Sequence, residues 1–302
     1  MPLPPQDSIL RYSKMTIFGV YRRIFLLVFL VNGFFAYHIF KSEGQSIPNP
    51  LISISISTMA STNKLIAILI RQDYILINPF KLSWCTPFST PLLICRSIAK
   101  TYEYGGLHSG AAVCSTLWFS VFAWYLTAEL IAAQVIGPLV LFNTFTILSL
   151  SWTILLTAYP LFRFKEHDIF EFVHRCGGGL TILLFWPGLY LFTQVLRTRS
   201  PYTSISDLHA FGIHLSSTLH TLLPCLRLRR LRMHPQYTGN GARTTMRLQF
   251  MEDVPNCVVY KIVESLFKQW HSFACIPSST GGSLIVANAG DWTGRLIRTP
   301  LE

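Results

Sequence analysis

VIGPLVLFNTFTILSLSWTILLTAY, from Val135 to Tyr159, runs for 25 residues without a charged side chain. A helix needs about 20 apolar residues to cross the hydrocarbon core of a bilayer, so this stretch predicts a membrane span. Val20 to Phe40, Leu107 to Leu126 and Leu180 to Leu196 read the same way. Two weaker candidates are Leu51 to Ile70, interrupted by Lys64 and several serines, and Leu208 to Leu226, which carries His209, His214, His220 and Pro224. Polar residues in a span are costly, so each weak candidate either faces protein or is not a span.

The composition agrees. The chain has 302 residues, 51% hydrophobic and 13% charged, too little polar surface for an ordinary soluble domain of this size. A formal net charge of +11 could suggest a nucleic-acid partner, but the Lys and Arg residues lie between apolar runs rather than on one basic face. Membrane orientation accounts for them better, and no nucleic acid is expected. With six spans, fifteen basic residues fall on one side: Arg11, Lys14, Arg22, Arg23, Arg71, Lys81, Arg96, Lys100, Arg163, Lys165, Arg175, Arg227, Arg229, Arg230 and Arg232. The other side has Lys41, Arg197 and Arg199. The excess predicts a multi-pass integral membrane protein with both termini cytosolic. About twenty polar or mixed residues precede the first apolar run and no small-residue cleavage site follows it, so the run reads as a retained span. No Asn-x-Ser/Thr acceptor occurs.

After Arg227 the hydrophobic continuity ends. Gln236 to Arg247 reads as a turn or hairpin, while Met246 to Phe250 and Val258 to Ile262 alternate as strands do. The expected organisation is a transmembrane helical domain over 1–230 and a partial cytosolic β segment over 231–302. The fold class is therefore mainly α, a polytopic bundle of about six spans, followed by part of an antiparallel barrel. The 72 residues from Leu231 are fewer than two ordinary domains of roughly 100 residues each would need.

Histidines near the membrane spans are one set of candidates for chemistry. Neutral imidazole ligates haem iron, and His108 and His174 both fall at the predicted cytosolic edge. A two-haem wire needs a second pair about 13 to 14 residues further along each helix, at helical rise. Those positions hold Val121, Phe122, Pro187 and Gly188, which disfavours haem. His209 and His220 would share a helix face and bond carbonyls or neighbouring helices, and His167, Asp168 and Glu171 would pair with Arg163, Lys165 or Arg175. The seven cysteines form no C-x-x-C and no zinc-like set, and most read as reduced, packed thiols. Gly239-Asn240-Gly241-Ala242-Arg243 lacks the third glycine of a nucleotide loop and reads as a turn.

The tail carries a resemblance. Trp270-His271-Ser272-Phe273, read as a turn, then a short Gly-containing hairpin, the strand-like Ser283-Leu284-Ile285-Val286, and Ala289-Gly290-Asp291-Trp292-Thr293 follow one another in order. The segment resembles the flavin-binding barrel of ferric reductases and NADPH oxidases, where His-Pro-Phe-Thr precedes a strand and Gly-Asp-Trp-Thr. Further segments are similar to fungal TmpA-type integral membrane flavoproteins, relatives of ferric reductases that also occur fused behind adenylate-forming enzymes. These are Tyr21-Arg22-Arg23, Leu69-Ile70-Arg71-Gln72-Asp73-Tyr74, Tyr102 to Gly110 and His167 to Arg175.

The resemblance implies a membrane oxidoreductase passing electrons from a cytosolic flavin, with FAD held by His271, Ser272, Phe273, Gly290, Asp291, Trp292 and Thr293. NAD(P)H would enter only with a nucleotide-binding lobe beyond Glu302. Ser272 and Ala274 replace the Pro and Thr of the family's turn. The implied partners are the lipid bilayer and a separate reductase or biosynthetic enzyme. The alternative is a non-catalytic membrane protein with a regulatory or accessory role beside a biosynthetic enzyme, its tail aromatics merely packing. A transporter gains no support, because no internal repeats occur.

Overall fold

A computed structural model of the chain describes residues 19–42, 49–98, 100–134, 137–198, 203–237, 245–254, 259–264 and 270–298. Residues Arg11, Lys14, Arg199, Cys257 and the Gly239 to Arg243 loop lie outside them. The chain divides into two compact units, Met1–Leu222 and Leu223–Glu302.

The first unit is helical. Its elements are α1 (Val20–Ser42), α2 (Pro50–Leu69), α3 (Asp73–Trp84), α4 (Leu92–Ile98), α5 (Gly105–Ala132), α6 (Pro138–Thr157), α7 (Pro160–Lys165), α8 (His167–Phe172), α9 (Gly178–Arg197) and α10 (His209–Leu226). A π-helical turn, Val173–Gly177, joins α8 to α9 without a break. Starts are legible locally: Asn49 caps α2 by accepting from the Leu51 N–H, and Pro50, Pro138 and Pro160 occupy first-turn positions where a missing N–H costs nothing.

Five helices are long and apolar enough to cross a membrane: α1, α2, α5, α6 and the continuous His167–Arg197 stretch. The sixth stretch forms α10, a helix of 18 residues, but it is not among those five. The weak candidate around Lys64 forms α2, and its polar residues explain themselves: Ser53, Ser57, Ser61 and Asn63 all point into protein beside the fully buried Ile52 and Ile56.

Helix α5 lies at the centre of the unit. Its Cys114, Trp118, Phe119, Phe122 and Leu126 share one core with Ile52 and Ile56 of α2 and Leu189 and Phe192 of α9. On the side toward α1, Gly106 and Gly110 stand one turn apart, a small-xxx-small pair that lets two backbones approach. A Cβ on Gly106 would collide with the Tyr21 carbonyl, and one on Gly110 would lie 3.1 Å from Val28. Polar groups reinforce the junction. The Asn32 amide oxygen accepts from Asn63 Nδ2 at 2.7 Å and from Trp118 Nε1 at 2.8 Å, and Asn32 Nδ2 donates back to Asn63 at 3.1 Å.

The second unit contains β1 (His234–Tyr237), β2 (Thr245–Phe250), β3 (Val259–Ile262), β4 (His271–Ser278), β5 (Gly281–Ala287) and α11 (Asp291–Arg298). The strands form an antiparallel sheet in the order β1-β2-β5-β4-β3. Strand β2 alternates strictly, with Met246, Leu248 and Phe250 inward, opposite Val286, Leu284 and Gly282 of β5. Trp292, Leu296 and Ile297 of α11 join these residues in the core.

One local expectation changes here. The His271-Ser272-Phe273 segment, expected as a turn, is the start of a strand, held by pairing of His271 with Ile262 and Phe273 with Tyr260. Gly-Asp-Trp-Thr opens a helix, because Thr293 closes its first turn through its side chain. The hairpin expected between them is present. Gly281 adopts φ +131°, where a side chain would also strike the Phe250 carbonyl.

Candidate functional site

In the second unit the structure brings His271, Phe273, Trp292 and Thr293 together. His271 and Phe273, two residues apart on β4, project to one side of the strand. The His271 imidazole stacks on the Trp292 indole at 3.9 Å between ring centres and 17° between planes, and Phe273 lies 6.1 Å from the same indole. Trp292 is itself buried, placed by the first turn of α11. The Thr293 hydroxyl accepts from the Ala289 and Gly290 N–H groups and donates to the Gly290 carbonyl, each at 3.0 Å.

Gly290 faces open space, and Ser272 and Asp291 are exposed. Asp291 begins the helix, where a carboxylate suits the positive end of the helix dipole. Beside this cluster, burial pushes the thiol of Cys275 above its ordinary range. Tyr260 is raised chiefly by burial, then by the nearby Cys275 and Glu252.

For a flavin, this arrangement supplies a flat aromatic wall without a set of side-chain donors. One indole face carries the imidazole, and the Thr293 hydroxyl is committed to its own turn.

In the helical unit, His108 of α5 and His174 of the π turn meet with ring centres 6.0 Å apart. His108 Nδ1 lies 2.8 Å from the Ala67 carbonyl, which fixes the ring and leaves Nε2 as its other nitrogen. His174 Nδ1 is buried with no hydrogen-bond partner among the described residues. The two sequence candidates therefore converge from separate helices. No group of three or more His, Cys, Asp or Glu side chains gathers into a metal-ligand set among the described residues.

The remaining histidines separate. His214 is buried against Phe185 and Trp186 with Nε2 3.0 Å from the Ile182 carbonyl, and His220 pairs with the Tyr74 hydroxyl. His220 thus bonds a neighbouring element, as expected. Glu171 pairs with Arg175 at 3.7 Å, one of the arrangements expected for that loop.

One polar site escaped the sequence reading. Glu129 of α5 is 3% exposed and accepts from the Ser53 hydroxyl at 3.0 Å. The signal was available, since an acidic residue just beyond an apolar run and on the same helix is costly enough to demand a partner.

No family model matches the chain. It is 32% identical over 305 residues to Adenylate-forming reductase 03009 of Coprinopsis cinerea (strain Okayama-7), a similarity that covers 99% of the chain and 29% of that protein. Adenylate-forming reductase 06235 of the same organism is 31% identical over 307 residues, again over 99% of the chain and 29% of the relative. These relatives overturn the expected function, a ferric-reductase-like flavoprotein oxidoreductase. The likeness extends over nearly the whole chain, helices and strands alike, whereas the flavin reading rested on a short tail signature and a few helix-end segments. The chain spans about three-tenths of the length of the relatives it matches, the 29% just given.

Proposed function

We propose that this chain is a membrane-embedded accessory module of the adenylate-forming reductase type, which holds the associated enzyme at a bilayer and is not itself the catalyst. One observation carries the reading: the stretch similar to adenylate-forming reductases contains five helices of membrane-crossing length and apolarity. A module that hydrophobic binds lipid rather than water.

In this reading α10 completes a sixth span, packed by His214 and Ser217 against protein, and the basic segments lie on the cytosolic side with both termini. The five-stranded unit is then the cytosolic part, a partial barrel that meets a biosynthetic enzyme. The experiment is to express the chain with tagged adenylate-forming reductase portions lacking this region. Recovery of that enzyme in membranes washed at neutral pH only when the chain is present supports the proposal. An enzyme that stays soluble beside a membrane-inserted chain sinks it.

A further inference from the structure

The accessory reading leaves unused the stretch between the second and third membrane-length helices, residues 70–104. The carbonyl of Ala67, near the end of α2, lies 2.8 Å from Nδ1 of His108, in the first turn of α5. Both ends of the stretch are thus at one end of this helix pair. Within it α3 has 12 residues and α4 has 7, about 18 and 10 Å at helical rise, against about 30 Å of hydrocarbon to cross. Asp73 opens α3 four positions after Leu69 closes α2, at most about 14 Å of chain. The two short helices are therefore held against one face of the bilayer.

Their surface does not suit water. Leu82, Trp84, Phe88, Leu92, Leu93 and Ile94 are all exposed, Phe88 wholly. So many large apolar side chains outside a span mark a surface that something covers. Ile77, Lys81 and Trp84 follow one another at spacings of four and three, so one exposed face of α3 carries two apolar groups with a lysine between them. That is an interfacial pattern: the apolar groups enter the acyl boundary while the ammonium rises to the headgroups. Tryptophan is enriched in this layer.

Charge selects the occupant. Arg71, Lys81, Arg96 and Lys100 are exposed and form no ion pair among the described residues. The acids of the stretch are placed within the fold: Asp73 stands in the first turn of α3, and Glu103 accepts from the Tyr21 N–H. A second copy of the chain would bring the same four cations against these, since a two-fold contact uses one patch twice. Acidic phospholipid headgroups supply the opposite charge at the depth where the apolar side chains enter.

We propose that α3 and α4 form an interfacial anchor that recognises acidic phospholipids. Its apolar side chains lie at the acyl boundary, with Arg71, Lys81, Arg96 and Lys100 on headgroup phosphate and carboxylate oxygens. The inference rests on the membrane-embedded reading but not on any enzyme being held there.

The test reconstitutes the full chain, with the photoreactive p-benzoylphenylalanine in place of the exposed Phe88, in nanodiscs of phosphatidylcholine and phosphatidylserine in equal amounts. Irradiation should give lipid adducts on the peptide carrying position 88. Phosphatidylserine should exceed phosphatidylcholine among them at least about threefold, somewhat less than the roughly fivefold that one basic residue contributes at an anionic surface. Lys81→Gln with Arg96→Gln should move the ratio toward equality, and both side chains are exposed, so the fold is retained. Equal adducts in the unaltered background overturn the proposal, as does an unchanged ratio in the double variant. Cross-links to a second copy or within the chain, in place of lipid, overturn it too. Co-elution with the disc reads membrane embedding separately: a chain that enters the disc yet cross-links to protein removes the anchor alone, and one that stays out removes both.

Discussion

Single side chains set how closely the helices approach. Gly106 lies against the Tyr21 carbonyl, and no rotamer change relieves a collision between a Cβ and a backbone atom. Gly106→Val should therefore force α1 from α5 and cost about 1–3 kcal/mol, the usual range for overpacking. Gly33→Ala is the contrast, because nothing lies within 4 Å of a Cβ there. Thermal unfolding in detergent should separate the two, and equal melting would show that the α1 contact is not tight.

Cys275 makes a residue-scale prediction about pH. Its thiol is raised by burial, so the folded protein holds the proton where the unfolded chain has begun to lose it. Its contribution to stability is whole below the ordinary thiol range and declines as pH rises through it. Cys275→Val should flatten that alkaline decline in a pH series of melting curves. Cys275 should also resist maleimide at pH 8 while the exposed Cys85 reacts.

Much at this scale was readable in advance. His108, His174 and the aromatics of the tail stood out because their chemistry is unusual in their settings. Their outcomes were not readable, since stacking of His271 on Trp292 depends on a strand and a helix start whose approach no local pattern encodes.

At the level of elements, apolar length was a dependable guide. The firm runs all became membrane-length helices, and the serine-rich run became α2, because its hydroxyls found protein partners. Alternation predicted β2 well. It could not anticipate that β5 buries residues on both faces, from Gly281 through Leu284, where the sheet is covered twice.

The Met246, Leu248, Leu284 and Val286 set is therefore the centre of the β unit. Met246→Ala or Leu284→Ala should destabilise it by about 2–5 kcal/mol, as buried large-to-small changes do. Ile285→Ala, on the exposed side of the same strand, should stay within about 0.5 kcal/mol. Chemical denaturation followed by labelling of the buried Cys275 thiol compares them, and similar losses would place the core elsewhere.

For the whole molecule, the number of spans decides the side of the membrane on which the β unit lies. Six spans put it with the N-terminus, and five put it opposite. The chain has no natural Asn-x-Ser/Thr acceptor, which makes it a clean background for introduced ones. An acceptor beside Thr203 should be glycosylated in microsomes and one beside Gln236 should not. Modification at Gln236 would remove α10 from the membrane and reverse the charge argument.

The π turn at Val173–Gly177 has a consequence for the whole bundle. A wide turn inserts one residue into a helix without interrupting it, and one residue is about 100° of rotation. Every side chain of α9 is thereby phased by a feature at its foot. Deleting the exposed Cys176 would remove no core contact directly, yet it would swing Phe185, Leu189 and Phe192 off the side they share with α5. The turn works as an indexing tooth: it stores the rotational setting of a helix, so a length change of one residue acts far from where it is made.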